Sequence, residues 1–398
     1  MAVVKFYDIC SKIGSGATPR GGKEVYCDEG ISLIRSQNVL DYSFSIEGLV
    51  HINDVQADKL RNVIVEENDV LLNITGDSVA RVCVVDSSYL PARVNQHVCI
   101  IRANKKYVQG SYLLYFLQMN KQYLLQLAAG GATRNALTKD MIGNLELELP
   151  SLEQQKRVVS LLDDIQAKIK ENKKINDNLE QQLQIIFLGM FGSFIEALPA
   201  NKCQPLGDLV NSIDNRGKTP PLASNETEYP IIDVKALSGA TRIVDYKNCT
   251  KYVEDDTYNN WFRSGHPEPM DILISTVGSL AEIKVFYGSK GCVAQNVVAF
   301  RSKGISPLYL YQYLITIKND LVAYNIGSVQ PSIKVTHIIK HLIYIPTEVE
   351  LEKYNSIANV MTEQIYQNCL ETERLVQIRD ILLPKLMSGE LDISKINI

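Results

Sequence analysis

Five stretches in the first half of this 398-residue chain return, in the same order, in the second half. "ATPRG" at 17–21 faces "KTPPL" at 218–222, and "NDVLLNITGDS" at 68–78 faces "MDILISTVGSL" at 270–280. "NQHVCIIR" at 95–102 faces "AQNVVAFR" at 294–301, and "SYLLYFLQ" at 111–118 faces "LYLYQYLI" at 308–315. "LELELPSLEQQKRV" at 145–158 faces "LIYIPTEVELEKY" at 342–354. One unit of about two hundred residues is duplicated, so whatever fold one copy adopts the other must approximate.

Each copy opens with short apolar runs broken by Gly, Pro and Asn. "DVLLNIT" and "VCVV" in the first, "DILIST" and "NVVAF" in the second, read as buried strands. "SYLLYFLQMNKQYLLQLA" reads as a helix, so each domain is α+β. A long helix follows. Pro150 and Pro346 each precede a capping box, Ser151 with Gln154 and Thr347 with Glu350. No Pro or Gly interrupts 151–188 or 347–383, which predicts helices roughly 55–60 Å long. Apolar positions recur in alternating steps of four and three. The first seam is Val158, Leu162, Ile165, Ile169, Asn172, Asn176, Leu179, Leu183, Ile186, Met190. The second is Tyr354, Ala358, Met361, Ile365, Asn368, Thr372, Leu375, Arg379, Leu382, Leu386. Such seams predict an antiparallel coiled coil in which the polar centres Asn172/Asn176 and Asn368/Thr372 meet and set register. The expected divisions are a domain at 1–150, a helix at 151–193, a second domain at 194–346, and a helix and tail at 347–398.

Composition excludes several classes. An apolar content of 45% belongs to a globular chain. No apolar run has the ~18 residues a membrane span needs, and the N-terminus lacks a secretory layout. Eight cysteines without C-x-x-C spacing predict reduced thiols and a cytoplasmic location. The net charge is −4, but residues 347–398 hold nine acidic against five basic side chains, so a basic surface elsewhere is permitted.

Catalytic motifs fail on inspection. "DNRGKTPP" at 214–221 carries Gly-Lys-Thr, but Ser212 stands where a P-loop needs its first glycine. The two copies share instead Thr18-Pro19 and Thr219-Pro220 in a basic turn. Asp271, Glu282 and Lys284 have the residue types of a metal-dependent nuclease, while the first copy has Asp69, Ala80 and Val82. His337 and His341 lack a third metal ligand at similar spacing. There is no Gly-x-Ser-x-Gly, no H-E-x-x-H, and no (Asn/Asp)-Pro-Pro-(Tyr/Phe) of amino-methyltransferases. The pattern is that of a binder without catalytic residues or metal ligands. The alternatives are a nuclease acting through Asp271, Glu282 and Lys284, and a coiled-coil scaffold whose domains bind proteins.

The chain resembles, over nearly its whole length, the specificity (S) subunits of type I restriction-modification systems. The resemblance is carried by "GATPRGG", "GKTPP", "NDVLLNITGD", "MDILISTVGS", "NQHVCIIR", "LELPSLEQQKRVVSLLDDI" and "IRDILLPKLMSGELDI". The second helix start, "PTEVELEKYN", lacks the Gln-Gln-Lys-Arg of the first. The resemblance implies two pseudo-two-fold-related α+β target recognition domains joined by two long antiparallel coiled-coil helices. Each domain would read half of a bipartite, asymmetric site in double-stranded DNA, with the helices as spacer. Half-sites one helical turn apart lie about 34 Å from each other. The resemblance also implies two methylation subunits carrying S-adenosylmethionine, and motor–nuclease subunits using ATP with magnesium. No cofactor is expected on this chain.

Forked and amide side chains on loops match base edges. In the first domain these are Arg20, Lys23, Arg35, Gln37, Asn38, Arg81, Arg134 and Asn135. In the second they are Arg216, Lys218, Lys235, Arg242, Lys290, Gln330 and Lys334. Asn95-Gln96 and Gln295-Asn296 recur in both copies and read as framework, because base readers should differ between halves that read different sequences.

Overall fold

The computed structural model describes residues 2–19, 21–130, 135–215, 217, 219–288 and 290–391. Its contacts divide the chain into two units, Met1–Ile169 with Arg374–Ile398, and Lys170–Glu373. Both long helices are thus split between units, a different division from the four consecutive segments expected. Contacts follow space, and each helix packs on a globular part with only some of its turns.

The main strands of the first unit are β1 (Cys10–Ser15), β2 (Tyr26–Cys27), β3 (Ile31–Ile34), β4 (Val50–Ile52), β5 (Ile64–Val65), β6 (Val70–Asn73), β7 (Val82–Val84), β8 (Ala92–Val94) and β9 (Val98–Ala103). They form an antiparallel sheet in the order β1-β9-β6-β7 and a second sheet in the order β2-β4-β3-β8-β5. In the second sheet β3 and β8 run parallel. All four residues of β6 are buried, because the sheet is covered on both faces. Val70 and Leu72 join a core with the helices α1 (Gly110–Met119) and α2 (Lys121–Ala129). Leu71 faces the second sheet, with Leu33, Ile34 and Val94.

The second unit repeats this plan. β10 (Val210–Ile213), β11 (Ile231–Ile232), β12 (Ile272–Ser275), β13 (Ile283–Val285), β14 (Cys292–Val293) and β15 (Val297–Ser302) give a sheet in the order β10-β15-β12-β13 and a parallel pair β11-β14. Ile272 and Ile274 face a core with α3 (Pro307–Thr316), and Leu273 faces the opposite one.

The central helix spans Leu152–Glu196 and the C-terminal helix Glu348–Met387. At 1.5 Å per residue they are about 68 and 60 Å long, the first running three residues beyond its expected end at 193. Both capping boxes form: Ser151 N donates to Gln154 Oε1 at 3.1 Å and Thr347 N to Glu350 Oε2 at 2.8 Å. Gly389, at φ +74°, follows the C-terminal helix in the left-handed conformation common after helix ends.

Within the second unit the two helices run antiparallel. Asn172 Nδ2 donates to Glu371 Oε2 at 2.7 Å and reaches Thr372 Oγ1 at 3.4 Å. Asn368 Nδ2 donates to Asn176 Oδ1 at 2.8 Å, and Asn176 Nδ2 to the Ile365 carbonyl at 3.3 Å. The partner number falls as the first rises, and the polar centres meet. Leu179 and Met361 are half-buried against the unit's core, which also takes in Leu183, Phe187, Phe191, Tyr354 and Ile365. In the first unit Ile165 is buried and Ile169 and Leu375 are half-buried. There Val158, Val159 and Leu162 share a core with Leu383, Leu386 and Met387, and Arg379 Nη1 donates to Gln166 Oε1 at 3.0 Å.

Candidate nucleic-acid interface

Strand direction decides which loops come together. In the first unit Ser15 lies opposite Cys99, Asn73 opposite Val98, and Ile34 beside Val94. β1, β3, β6 and β8 therefore all finish at one end, where β9 begins. Backbone bonds stitch the departing loops together there. Gly16 N donates to the Asn95 carbonyl at 3.1 Å, Asn95 N to Ile34 at 3.0 Å, Ile74 N to His97 at 2.9 Å and Leu137 N to Ile74 at 2.8 Å. Asn73 Nδ2 adds a bond to the Ser36 carbonyl at 2.8 Å.

The second unit uses the same stitches. Ala294 N donates to Ile232 at 3.0 Å, Thr276 N to Asn296 at 2.8 Å, and Ile333 N to Thr276 at 2.8 Å. The Thr-Pro turns are tied down alike: Thr18 bonds the Gln96 side chain, and Gln295 Nε2 donates to Thr219 Oγ1 at 3.0 Å. Gln96 and Gln295 are thus framework, as their recurrence implied.

Partly buried ion pairs brace both sheets. Arg102 grips Asp69 with two bonds of 2.8 Å, and Arg301 grips Asp271 with its closest contact at 2.9 Å. Before each aspartate stands a residue in the left-handed region, Asn68 at φ 68° and Met270 at φ 77°. Ala80 and Ala281 share the same conformation, at 66° and 55°. At Asn68 and Met270 the backbone of the two copies matches although the side chains differ.

Among the expected DNA-contacting residues, Gln37, Arg81, Asn135, Lys235, Gln330 and Lys334 lie on these loops. Arg81 is half-buried and the other five are exposed. Arg20, Arg134, Arg216 and Lys218 fall outside the described residues, and Lys23 is described in its backbone alone.

Others need correction. Asn38 is fully buried; its amide donates to the carbonyls of Ser45 and Glu47, and its Oδ1 accepts from Arg35 N. It shapes the 35–48 loop and presents no edge to a base. Arg35 is half-buried and donates to the Gly48 carbonyl. Arg242 is 0% exposed and clamps Glu180 of the central helix, with Nη1 on Thr362 of the C-terminal helix and Nη2 on Gln312 of α3. It anchors a loop to the helices and cannot touch a duplex. Lys290 pairs with Glu228 at 2.6 Å and lies over the Tyr229 ring, at the opening end of β14.

The nuclease reading fails on geometry. Asp271 is held by Arg301, Glu282 by Lys318 at 3.0 Å, and Lys284 Nζ by the carbonyls of Gly239 and Thr241. The three groups are each engaged with different partners and do not converge on a common point. Burial pushes the Lys284 ammonium down to about 8, the mark of a desolvated strut. Among the described residues no group of three or more His, Cys, Asp or Glu could hold a metal ion. No helix among them is long and apolar enough to cross a membrane.

Two framework-braced units, each gathering exposed polar loops at one end of its sheets, define a duplicated recognition protein. The family model for the type I restriction modification DNA specificity domain matches residues 1–181 and 202–379, and the chain belongs to that family. It is the DNA-recognition component of such a system, and specificity subunits are non-catalytic. Among curated relatives, the MjaIX specificity subunit of Methanocaldococcus jannaschii is 23% identical over 321 residues, 73% of this chain and 71% of the relative. The HindI specificity subunit of Haemophilus influenzae is 22% identical, covering 91% of this chain and 94% of the relative. The S subunit of a type I restriction-modification system from M. genitalium shares the fold, with a TM-score of 0.54 at 16% identity, covering 97% of this chain and 96% of that one.

Proposed function

We propose that each unit reads one half of a bipartite, asymmetric duplex site through its loop end, while the long helices dock two methylation subunits. A motor–nuclease subunit joins the assembly. S-adenosylmethionine, and ATP with magnesium, are held by those partners, and the complex works in the cytoplasm. The observation that carries the reading is a loop end whose backbone recurs while its side chains change. Gln37 and Lys235, each the third residue beyond equivalent strand ends Ile34 and Ile232, illustrate the change. Halves that read different sequences need that combination.

Docking is supported by apolar side chains left in solvent along both helices: Ile185 at 70% exposure, Val360 at 69% and Ile381 at 61%. Mapping methylated adenines in DNA from cells with and without this chain tests the function. Arg134→Ala and Arg216→Ala test the assignment of halves, by footprinting targets with one altered half-site. The two variants should lose different halves; loss of the same half by both overturns the assignment.

A further inference from the structure

We infer that Arg61 and Arg263 are a matched pair of phosphate clamps, one per unit, gripping the DNA backbone beside each half-site without reading its sequence. The inference rests on the proposed duplex-reading role and deepens it.

The alignment that sets Glu66 and Asp69 on Glu268 and Asp271 also sets Arg61 on Arg263. Both stand on the loop end. Arg61 opens a 3-10 turn, Arg61–Val63, that leads into β5. Ile64 of β5 lies opposite Arg93 of β8, so this turn sits beside the closing end of β8. It packs on the stem of the first Thr-Pro turn. A Cβ built on Gly16 would lie 3.2 Å from Val63 Cγ2, closer than most real contacts. In the second unit the same loop clasps the other Thr-Pro turn. Ser264 N donates to Asn215 Oδ1 at 3.0 Å, Ser264 Oγ to the Asp214 carbonyl at 2.7 Å, and Asn215 Nδ2 to the Gly265 carbonyl at 3.0 Å.

Both arginines are exposed, and neither forms an ion pair with another described residue. They differ in this from Arg102, Arg242 and Arg301, whose guanidinium groups are committed to carboxylates. Identity across the copies points to their role. A side chain that encodes base sequence must differ between unlike half-sites, whereas the phosphodiester backbone is the same in both. Thr18, Gln96, Thr219 and Gln295 also recur at this end but are tied to one another in the framework, whereas an exposed, uncommitted guanidinium repeated there fits phosphate.

The test uses the full chain assembled with its methylation subunits. Duplex affinity is measured against salt for wild type, Arg61→Ala, Arg263→Ala and the two Arg→Lys variants. The probes are the cognate duplex, duplexes with single base changes, and an unrelated duplex. Each alanine variant should weaken binding to every probe and reduce the log–log salt slope by about 0.9. Ratios between probes should stay unchanged, and lysine should restore most of the slope. An alanine variant that alters preference at a particular base pair, or leaves affinity and slope as in wild type, overturns the clamp. If wild type shows no salt-dependent duplex binding, the proposed function itself fails. Unchanged melting temperatures, expected for exposed side chains, separate loss of contact from loss of fold.

Discussion

Arg242→Ala should destabilise the second unit by about 3–5 kcal/mol, the range for breaking a buried ion pair from one side. The structure shows why the upper part of that range is reasonable. The guanidinium is 0% exposed and bonds both Glu180 oxygens, at 3.1 Å through Nε and 2.8 Å through Nη2. It also bonds Thr362 Oγ1 at 2.9 Å and Gln312 Oε1 at 3.2 Å, and lies 4.9 Å from the Tyr311 ring centre. Truncation leaves a carboxylate that is only 16% exposed with the Arg242 backbone N–H at 2.7 Å but no counter-charge, and opens a large void beside it. A unit of this size loses about 2–4 °C of melting temperature per kcal/mol, so the drop should be roughly 6–20 °C. Urea unfolding followed by fluorescence or circular dichroism reads the effect. The Arg242→Ala/Glu180→Ala double variant should cost less than the two single costs added together, since the two share one interaction. A loss below about 1 kcal/mol, or strict additivity, would refute the clamp, because surface pairs behave that way.

Lys284 makes stability depend on pH. Its folded pKa lies near 8, below the 10.5 of the unfolded chain. Above pH 8 the unfolded state binds more protons at this site, so the Lys284 contribution to stability should rise by about 1 kcal/mol between pH 8 and 9. The rise is read as the difference between wild type and Lys284→Met in a pH series of urea melts; a difference that stays constant over that interval would contradict it. Burial pushes Cys249 and Cys292 up to about 12, so their unfolded-state ionisation lowers stability over the same interval in both proteins and cancels in the difference. Asn176→Ala should cost about 1–3 kcal/mol by leaving Asn368 Nδ2 without its acceptor in the helix seam. Replacing both asparagines by leucine should recover that loss while weakening register, read as altered cross-linking between engineered cysteines on the two helices. Ser151→Ala should remove about 1 kcal/mol by opening the capping box, measurable by thermal melting.

The duplication, the helix starts and the helix seam were legible in the sequence because they are local or periodic. Ser151 with Gln154 is a cap wherever the helix lies, and steps of four and three mark one helix face in any surroundings. "DVLLNIT" and "DILIST" read as buried strands because a sheet covered on both faces needs no polar alternation. The meeting of Asn172 and Asn176 with Thr372 and Asn368 followed from the same repeat. What the sequence could not determine was the surroundings of a charge. Arg242 and Arg263 both sit in polar, glycine-containing stretches, yet one is sealed against Glu180 and the other stands in solvent. The left-handed turns at Met270, Ala80 and Ala281 carry neither glycine nor asparagine, so no turn signal marked them. Tertiary structure decided these points because burial, ion pairing and the gathering of loops depend on which strands finish together, and that order is written in pairings far apart along the chain.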